Sequence, residues 1–275
     1  MSNRIANIVI YYANEDEVVN YAKELEKQTE DVKLIIIVNE IGKKGIQYLE
    51  RNLELLTIEY EIYNPGKNLG YLNGLLWGYK KVKEECKWYV LSNTDICIED
   101  KHFFEIFMKS KPSNDECIWI VGPSVYAPKQ GKYSNPYFKD RPSRKFYTSR
   151  IVAMRFSTLF DLVYRIKNKN LKSTNNNMKK QDSGAIYAVH GSFMFLRKEL
   201  LDILISRPDW ELLYDEEQYI AEVVRQNKHL VYYNSDIEVL HMEGSSTGKV
   251  NAKSRYQLMI KANKRLLKEF YLVEE

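Results

Sequence analysis

The chain has 275 residues, 44% hydrophobic and 28% charged, enough apolar material for a sizeable core and too much for an intrinsically disordered segment. Lysine and arginine (41) exceed aspartate and glutamate (37) by only four, too small a whole-chain excess to argue for nucleic acid, and no nucleic-acid partner is expected. Cys86, Cys97 and Cys117 are odd in number and lack Cys-x-x-Cys spacing, so reduced thiols of a cytoplasmic protein are expected rather than a disulfide framework or structural zinc. The N-terminal apolar stretch is too short for a signal peptide, and no run approaches the roughly 18 apolar residues of a membrane span.

Residues 7–12 read as a strand and residues 15–28 as a helix with Val18, Tyr21, Ala22 and Leu25 on one face. Residues 32–38 read as a second strand bearing a continuous apolar run, Leu34–Val38. This β-α-β alternation continues through residues 46–55, 57–63, 71–85 and 88–92 and predicts an α/β fold with a mainly parallel central sheet flanked by helices. Between Tyr63 and Gly78, Asn64-Pro-Gly-Lys-Asn-Leu-Gly-Tyr-Leu-Asn-Gly runs into a helix starting near Tyr71. Glycines there admit close backbone approach, and a helix N-terminus offers N–H groups to phosphate or sugar hydroxyls. A plain Gly-rich turn is the other reading, and the missing Lys-Ser/Thr ending excludes a P-loop.

The strand at 88–92 ends in Asn93-Thr94-Asp95. Ligands of open α/β sheets bind at the carboxyl ends of strands, and a carboxylate with an amide two residues earlier suits a divalent cation carrying phosphates. A self-bonded Asx turn is the alternative.

From residue 139 to 180 the chain turns cationic. Arg141, Arg144, Lys145, Arg150, Arg155, Arg165, Lys167, Lys169, Lys172, Lys179 and Lys180 face only Asp140 and Asp161. Val152, Phe156, Leu159, Val163 and Ile166 recur at spacings of four and three, predicting an amphipathic helix over 149–167. Its apolar stripe either packs on the core or lies on an anionic membrane surface, where each near-surface cation contributes about 1 kcal/mol. Residues 168–184 are polar and low in complexity, a mobile loop on this reading. A polar His190-Gly191-Ser192 turn then precedes an apolar strand ending near Arg197, and Asp215, Glu216 and Glu217 precede a helix over 218–226. Acids at that position cap a helix and offset its dipole, or do chemistry. Residues 231–241 read as a strand pair ending in His241, a ligand candidate, followed by the Gly-Ser segment 244–248.

In this order the segments resemble the inverting glycosyltransferases of family 2 with the GT-A fold, especially the rhamnosyltransferase-like bacterial branch that builds surface polysaccharides. The resemblance is carried by the Asn64–Gly74 loop, Leu91-Ser-Asn-Thr-Asp95, Val121-Gly-Pro-Ser124, Arg141-Pro142, His190-Gly-Ser-Phe-Met194, Tyr214-Asp-Glu-Glu217 and His241 with Gly244-Ser245-Ser246. It implies one GT-A (nucleotide-diphospho-sugar transferase) domain over 1–275. A nucleotide-sugar-binding half (1–125) is followed by an acceptor-binding and catalytic half (126–250), with the basic helix and loop 139–184 inserted in it, and a C-terminal helix (251–275). The implied activity moves a sugar from a UDP- or dTDP-linked donor to a saccharide or lipid-linked saccharide acceptor.

By the same resemblance, Mn2+ or Mg2+ sits on Asp95 and His241, Glu217 is the base and Glu216 its neighbour. The donor falls to Tyr12, Asn14, Asn39, Gly66, Asn68, Gly70, Asn73, Asn93, Thr94 and Asp95, and the acceptor to His190, Gly191 and Ser192. The expected location is cytoplasmic, with a peripheral place at the inner face of the membrane if helix 149–167 docks there. Two positions depart from the family pattern, since Glu217 and Asn39 each stand where an aspartate is usual, and the following helix's arginine is displaced to Arg225. A degenerate transferase serving as a binding or scaffold subunit is therefore the alternative. A sugar-nucleotide nucleotidyltransferase is a weaker one, because the segment after the first strand, Tyr12-Ala-Asn-Glu-Asp-Glu17, is acidic where that activity needs a basic Gly-rich loop.

Overall fold

Apolar runs without polar alternation need cover on both faces, and the computed structural model supplies it. It describes residues 5–12, 14–39, 44–83, 85–156, 179–242 and 252–272. Strands β1 (Ile5–Tyr11), β2 (Val32–Val38), β3 (Tyr60–Tyr63) and β4 (Trp88–Ser92) alternate with helices α1 (Glu15–Glu26), α2 (Lys44–Leu53) and α3 (Tyr71–Tyr79). Next come β5 (Ile96–Cys97), α4 (Phe103–Lys109), α5 (Lys111–Asn114), β6 (Ile118–Ala127), β7 (Lys132–Tyr133), α6 (Arg144–Arg155) and β8 (Gly184–Ile186). The chain ends with β9 (Phe193–Arg197), α7 (Lys198–Ser206), α8 (Glu216–Gln226), β10 (Leu230–His241), α9 (Ala252–Leu266) and a π-helical turn, Leu267–Tyr271.

Alternate residues of one strand serve two cores. Ile35 and Ile37 of β2 join Leu72, Leu75, Leu200 and Val223 on one face, whereas Leu34, Ile36 and Val38 join Val18, Leu49, Leu53 and Phe104 on the other. Helix α1 buries Val18, Tyr21, Ala22 and Leu25 as its periodicity predicts. Helix α3 lies flat on β1 because Gly74 and Gly78, four apart on one face, carry no side chain. A β-carbon there would stand 2.6 Å from Ile10 Cδ1 and 2.7 Å from Ile8 Cγ2.

The sheet runs β3-β2-β1-β4-β9-β6-β10-β5, with β7 on β6 and β8 on β10. It is mixed, not mainly parallel. β3, β2, β1 and β4 are parallel neighbours, but β9 enters antiparallel to both β4 and β6, and β5 and β8 are antiparallel to β10. The sequence conceals the reversal because Phe193–Arg197 is buried on both faces, and a strand without alternation carries no sign of its direction.

Three further expectations shift. The 231–241 strand pair is one strand, β10, whose register on β6 jumps between Asn234 and Glu238, opposite Pro123 and Ser124. Pro123 has no N–H to give the ladder, so the strands separate there and β10 is re-aimed toward β5. Helix 218–226 starts earlier, at Glu216, so Glu216 and Glu217 form its first turn. The amphipathic helix begins at Arg144, capped by Ser143. Its buried residues are Tyr147, Ile151 and Met154, whereas Val152 and Phe156 of the expected stripe are 54% and 60% exposed. Two apolar stripes interleave in that stretch, and the buried one comes first in the chain. Leu159, Val163 and Ile166, most of the 168–184 loop, and Gly244–Gly248 lie outside the described residues.

Candidate active site

β4 ends at the carboxyl edge of the sheet, and backbone bonds fix the turn that follows. Asn93 N–H donates to the Ser192 carbonyl (2.8 Å), and Met242 N–H donates to the Asp95 carbonyl (2.9 Å). The antiparallel pairing of Ile96 with His241 sets Asp95 Oδ1 3.3 Å from His241 Nε2. Asn93 Nδ2 lies 3.5 Å from the same nitrogen. Glu17, in the first turn of α1, joins this edge through Thr94 Oγ1, which donates to its Oε2 at 3.5 Å. Burial and then the charge of Asp95 raise the Glu17 carboxyl above its ordinary range.

The Asp95–His241 pair fits a divalent cation. Two neighbouring ligands of one octahedral ion sit about 3 Å apart, close to the observed 3.3 Å. An ion there would also offset the Asp95–Glu17 repulsion. Among the described residues no group of three His, Cys, Asp or Glu side chains is arranged to hold a metal. The described residues therefore offer a partial shell, the kind completed by water and phosphate oxygens.

The second half of the site is the His190-Gly191-Ser192 turn. Asn135 Oδ1 accepts from His190 N–H (2.6 Å), and His190 Nδ1 accepts from Ser192 N–H (3.2 Å). Burial, then the neighbouring His241, pushes the His190 imidazole down to about 4, so its ring is neutral and stands 5.7 Å from that of His241. The Gly191 peptide is held at both ends: its N–H donates to Glu217 Oε1 (3.1 Å), and its carbonyl accepts from Tyr71 Oη (2.8 Å). Glu216 turns away and accepts from Tyr214 N–H (2.8 Å). Burial raises both glutamates well above the usual carboxylate range, and the charge of Glu217 adds to the effect on Glu216. Tyr137 meets the His190 ring edge-on at 5.4 Å, and its hydroxyl is raised chiefly by the charge of Glu217.

One constellation thus unites Asn93, Thr94, Asp95, His190, Gly191, Ser192, Glu217 and His241. The Asn/Gly loop is engaged largely by the chain itself. Asn39 is 4% exposed, accepts from Leu69 N–H (2.7 Å) and donates to the Gly70 carbonyl (2.9 Å). Asn68 accepts from Gly70 N–H (2.8 Å), Asn64 accepts from Gly66 N–H (2.7 Å), and Asn73 bridges the backbone of Trp210. Asn14 caps α1, while Tyr12 is 41% exposed. The expected open N–H groups at the start of α3 are partly spent, because Tyr71 N–H donates to the Leu212 carbonyl (3.1 Å). Gly70, at φ 81° and ψ −171°, adopts a backbone that only glycine takes readily. Arg225 pairs with Glu222 (2.8 Å), outside this constellation.

Sequence reasoning missed Glu17, Tyr71, Asn135 and Tyr137. Tyr71 sat inside the loop already singled out, and an aromatic hydroxyl opening a Gly-flanked helix was the signal. Asn135 and Tyr137 lie in an irregular polar segment with no pattern to mark them.

No protein-family model matches the sequence, and no curated protein matches it. Solved structures do. The mannosyltransferase PcManGT from Pyrobaculum calidifontis, in complex with GDP-Man and Mn2+, aligns with TM-score 0.59 at 10% identity over 95% of this chain and 64% of its own. S. aureus TarS 1-349 with UDP-GlcNAc aligns at 0.58 and 13%, over 98% of this chain and 68% of its own. GalNAc-T7 with UDP, GalNAc and Mn2+ aligns at 0.59 and 10%, over 96% and 48%. The chain therefore spans only about half to two thirds of the length of these proteins. What it shares with them is the mixed α/β fold of the GT-A-type glycosyltransferases.

Proposed function

We propose that this protein is a metal-dependent inverting glycosyltransferase of the family 2 kind. It moves a sugar from a UDP- or dTDP-linked donor to a saccharide or lipid-linked saccharide acceptor in bacterial surface-polysaccharide synthesis. The observation that carries the reading is the convergence of the Asp95–His241 pair and the Glu217 carboxylate on one three-residue turn, His190-Gly191-Ser192, at the carboxyl edge of the sheet. Support also comes from the donors and Mn2+ bound to its structural neighbours.

The chemistry divides between these groups. Glu217 takes the proton of the acceptor hydroxyl as that oxygen bonds to the anomeric carbon. The bond from that carbon to the phosphate oxygen breaks on the opposite face, and the nucleoside diphosphate leaves with the electron pair, which inverts the centre. Mn2+ or Mg2+, when bound by Asp95 and His241, supplies positive charge to the departing diphosphate. Neutral His190 and Ser192 face the acceptor as hydrogen-bond partners, and Tyr137 walls the base from water. Asn39 serves the donor's pyrimidine indirectly, by holding the Leu69–Gly70 backbone of the loop that faces it. Glu217 is favoured over Glu216 as base because its carboxylate reaches the His190-Gly191-Ser192 turn, whereas Glu216 is buried and turned toward the Tyr214 N–H.

The test is a thermal-melt panel of UDP-, dTDP- and GDP-sugars with and without Mn2+. A donor at about a hundred times its Kd adds about 2.7 kcal/mol, expected as a rise of roughly 5–10 °C seen only with metal. No shift with any donor would sink the reading and favour a degenerate scaffold.

A second proposal concerns location. No helix among the described residues is long and apolar enough to cross a membrane, but the outer side of α6 carries exposed Val152 and Phe156 beside exposed Lys145 and Arg155. We place this side on an anionic membrane surface, where a lipid-linked acceptor would be met. Lys145→Gln with Arg155→Gln is expected to weaken sedimentation with phosphatidylglycerol vesicles roughly tenfold or more. Unchanged sedimentation would remove the proposal.

A further inference from the structure

The turn that delivers Glu217 is built from two consecutive non-glycine residues in the left-handed region, Tyr214 (φ 79°) and Asp215 (φ 58°). An L-residue with a β-carbon resists that conformation, and it persists only where surrounding contacts impose it. The contacts here converge on one buried carboxylate. Asp215 is 5% exposed and receives Arg150 Nη1 from α6 at 2.6 Å on one oxygen. Asn263 Nδ2, from fully buried Asn263 of α9, donates to the other. Seven residues along α8, on the same face, buried Glu222 is held by Arg141 at 2.7 Å. The cationic segment is thus fastened to the helix bearing the base at two points, and Arg150 holds the end next to Glu217.

We infer that Arg150 is a positioning residue: through the Asp215 carboxylate it holds the left-handed turn that aims Glu217 at the Gly191 N–H and at the acceptor hydroxyl. Its catalytic consequence rests on the proposed function, whereas its structural consequence does not. Without Arg150 a buried carboxylate loses the cation that neutralises it, the turn relaxes, and Glu217 leaves Gly191. Misplacing a base by about 1 Å costs on the order of a hundredfold in rate. Donor binding, built on Asp95 and His241, does not pass through Arg150.

Two readouts test this in Arg150→Gln, Arg150→Lys and, as a control, Arg51→Gln on the exposed side of α2. The first is hydrogen exchange of the Gly191 amide at a temperature where all variants are folded. The second is release of nucleoside diphosphate, with water as acceptor, from whichever donor shifts the melt most, with Mn2+. Arg150→Gln is expected to speed Gly191 exchange at least tenfold and to lower kcat ten- to a hundredfold with donor KM within twofold. Arg150→Lys is expected to restore most of both, and Arg51→Gln to change neither. Unchanged Gly191 exchange, or a donor KM that rises as far as kcat falls, would overturn the inference. Should Arg150→Gln not fold, Asp215→Asn decides in its place: it is expected to show the same two changes, and parental behaviour would overturn the inference. A parent protein that binds no donor would sink the glycosyltransferase reading alone, because the exchange measurement stands without turnover.

Discussion

Asp95→Ala is expected to remove the metal-dependent part of donor binding and to lower transfer about a thousandfold or more, while the protein still folds. The fold survives because the turn's position is set by main chain: the Asp95 carbonyl takes Met242 N–H and Ile96 pairs with His241 whatever side chain stands at 95. The substitution also removes the charge that, after burial, raises the Glu17 carboxyl, so the metal-free protein sheds a repulsion along with the His241 contact. With Asp95 gone, His241 is left to hold a divalent ion, and one neutral imidazole does not retain Mg2+ or Mn2+ against water. Charge stabilisation by a metal is worth several kcal/mol in the transition state, and about 4 kcal/mol is a thousandfold in rate. Calorimetric titration of Mn2+ with UDP or dTDP measures the binding arm. If Asp95→Ala keeps its Mn2+-dependent heat, the metal lies elsewhere.

Much of this arrangement was legible in the residues, for reasons that differ by element. β2 and β4 announce themselves because a strand covered on both faces shows a long apolar run, Leu34–Val38 and Trp88–Leu91 here, and the β-α-β order follows from their alternation with helices. The same uniformity hid the direction of β9. Asp95 and His241 stand out because a polar cluster ending an apolar strand is costly unless it is used. Their pairing, however, depends on the register jump at Pro123, a long-range event with only a proline as its mark. The Asn-rich loop was the reverse case: side chains that look like ligand contacts from their composition are bonded to neighbouring backbone. Arg150 was read as one cation in a basic stretch, because nothing local shows that its partner lies 65 residues away at Asp215.

Glu217→Gln is expected to lower transfer by about a hundred- to ten-thousandfold, to leave metal-dependent donor binding intact, and to make the fold more stable at alkaline pH. The amide keeps the shape and can still accept the Gly191 N–H through its oxygen, so only the proton acceptor is lost. Burial holds the parent carboxyl well above the usual carboxylate range, with Asp215 adding to the rise and the Gly191 N–H and Arg150 opposing it. The folded protein therefore binds that proton more tightly than the unfolded chain does. Stability from this site is fully present below the unfolded carboxylate pKa of about 4.3 and is lost as pH rises through the raised folded value. The amide of the variant does not titrate, so its advantage in melting temperature should widen from about pH 5 to about pH 8. Catalysis runs the other way, because the base works only when ionised: the parent's kcat/KM should climb with pH along a limb centred well above about 4.3. Glu216 shares this titration, since the two carboxylates repel and their apparent values belong to the pair. Glu216→Gln should consequently move the limb to lower pH and preserve it, whereas Glu217→Gln should erase it. The opposite pattern, with the limb surviving in Glu217→Gln and vanishing in Glu216→Gln, would transfer the base to Glu216 and make the Gly191 contact a structural one.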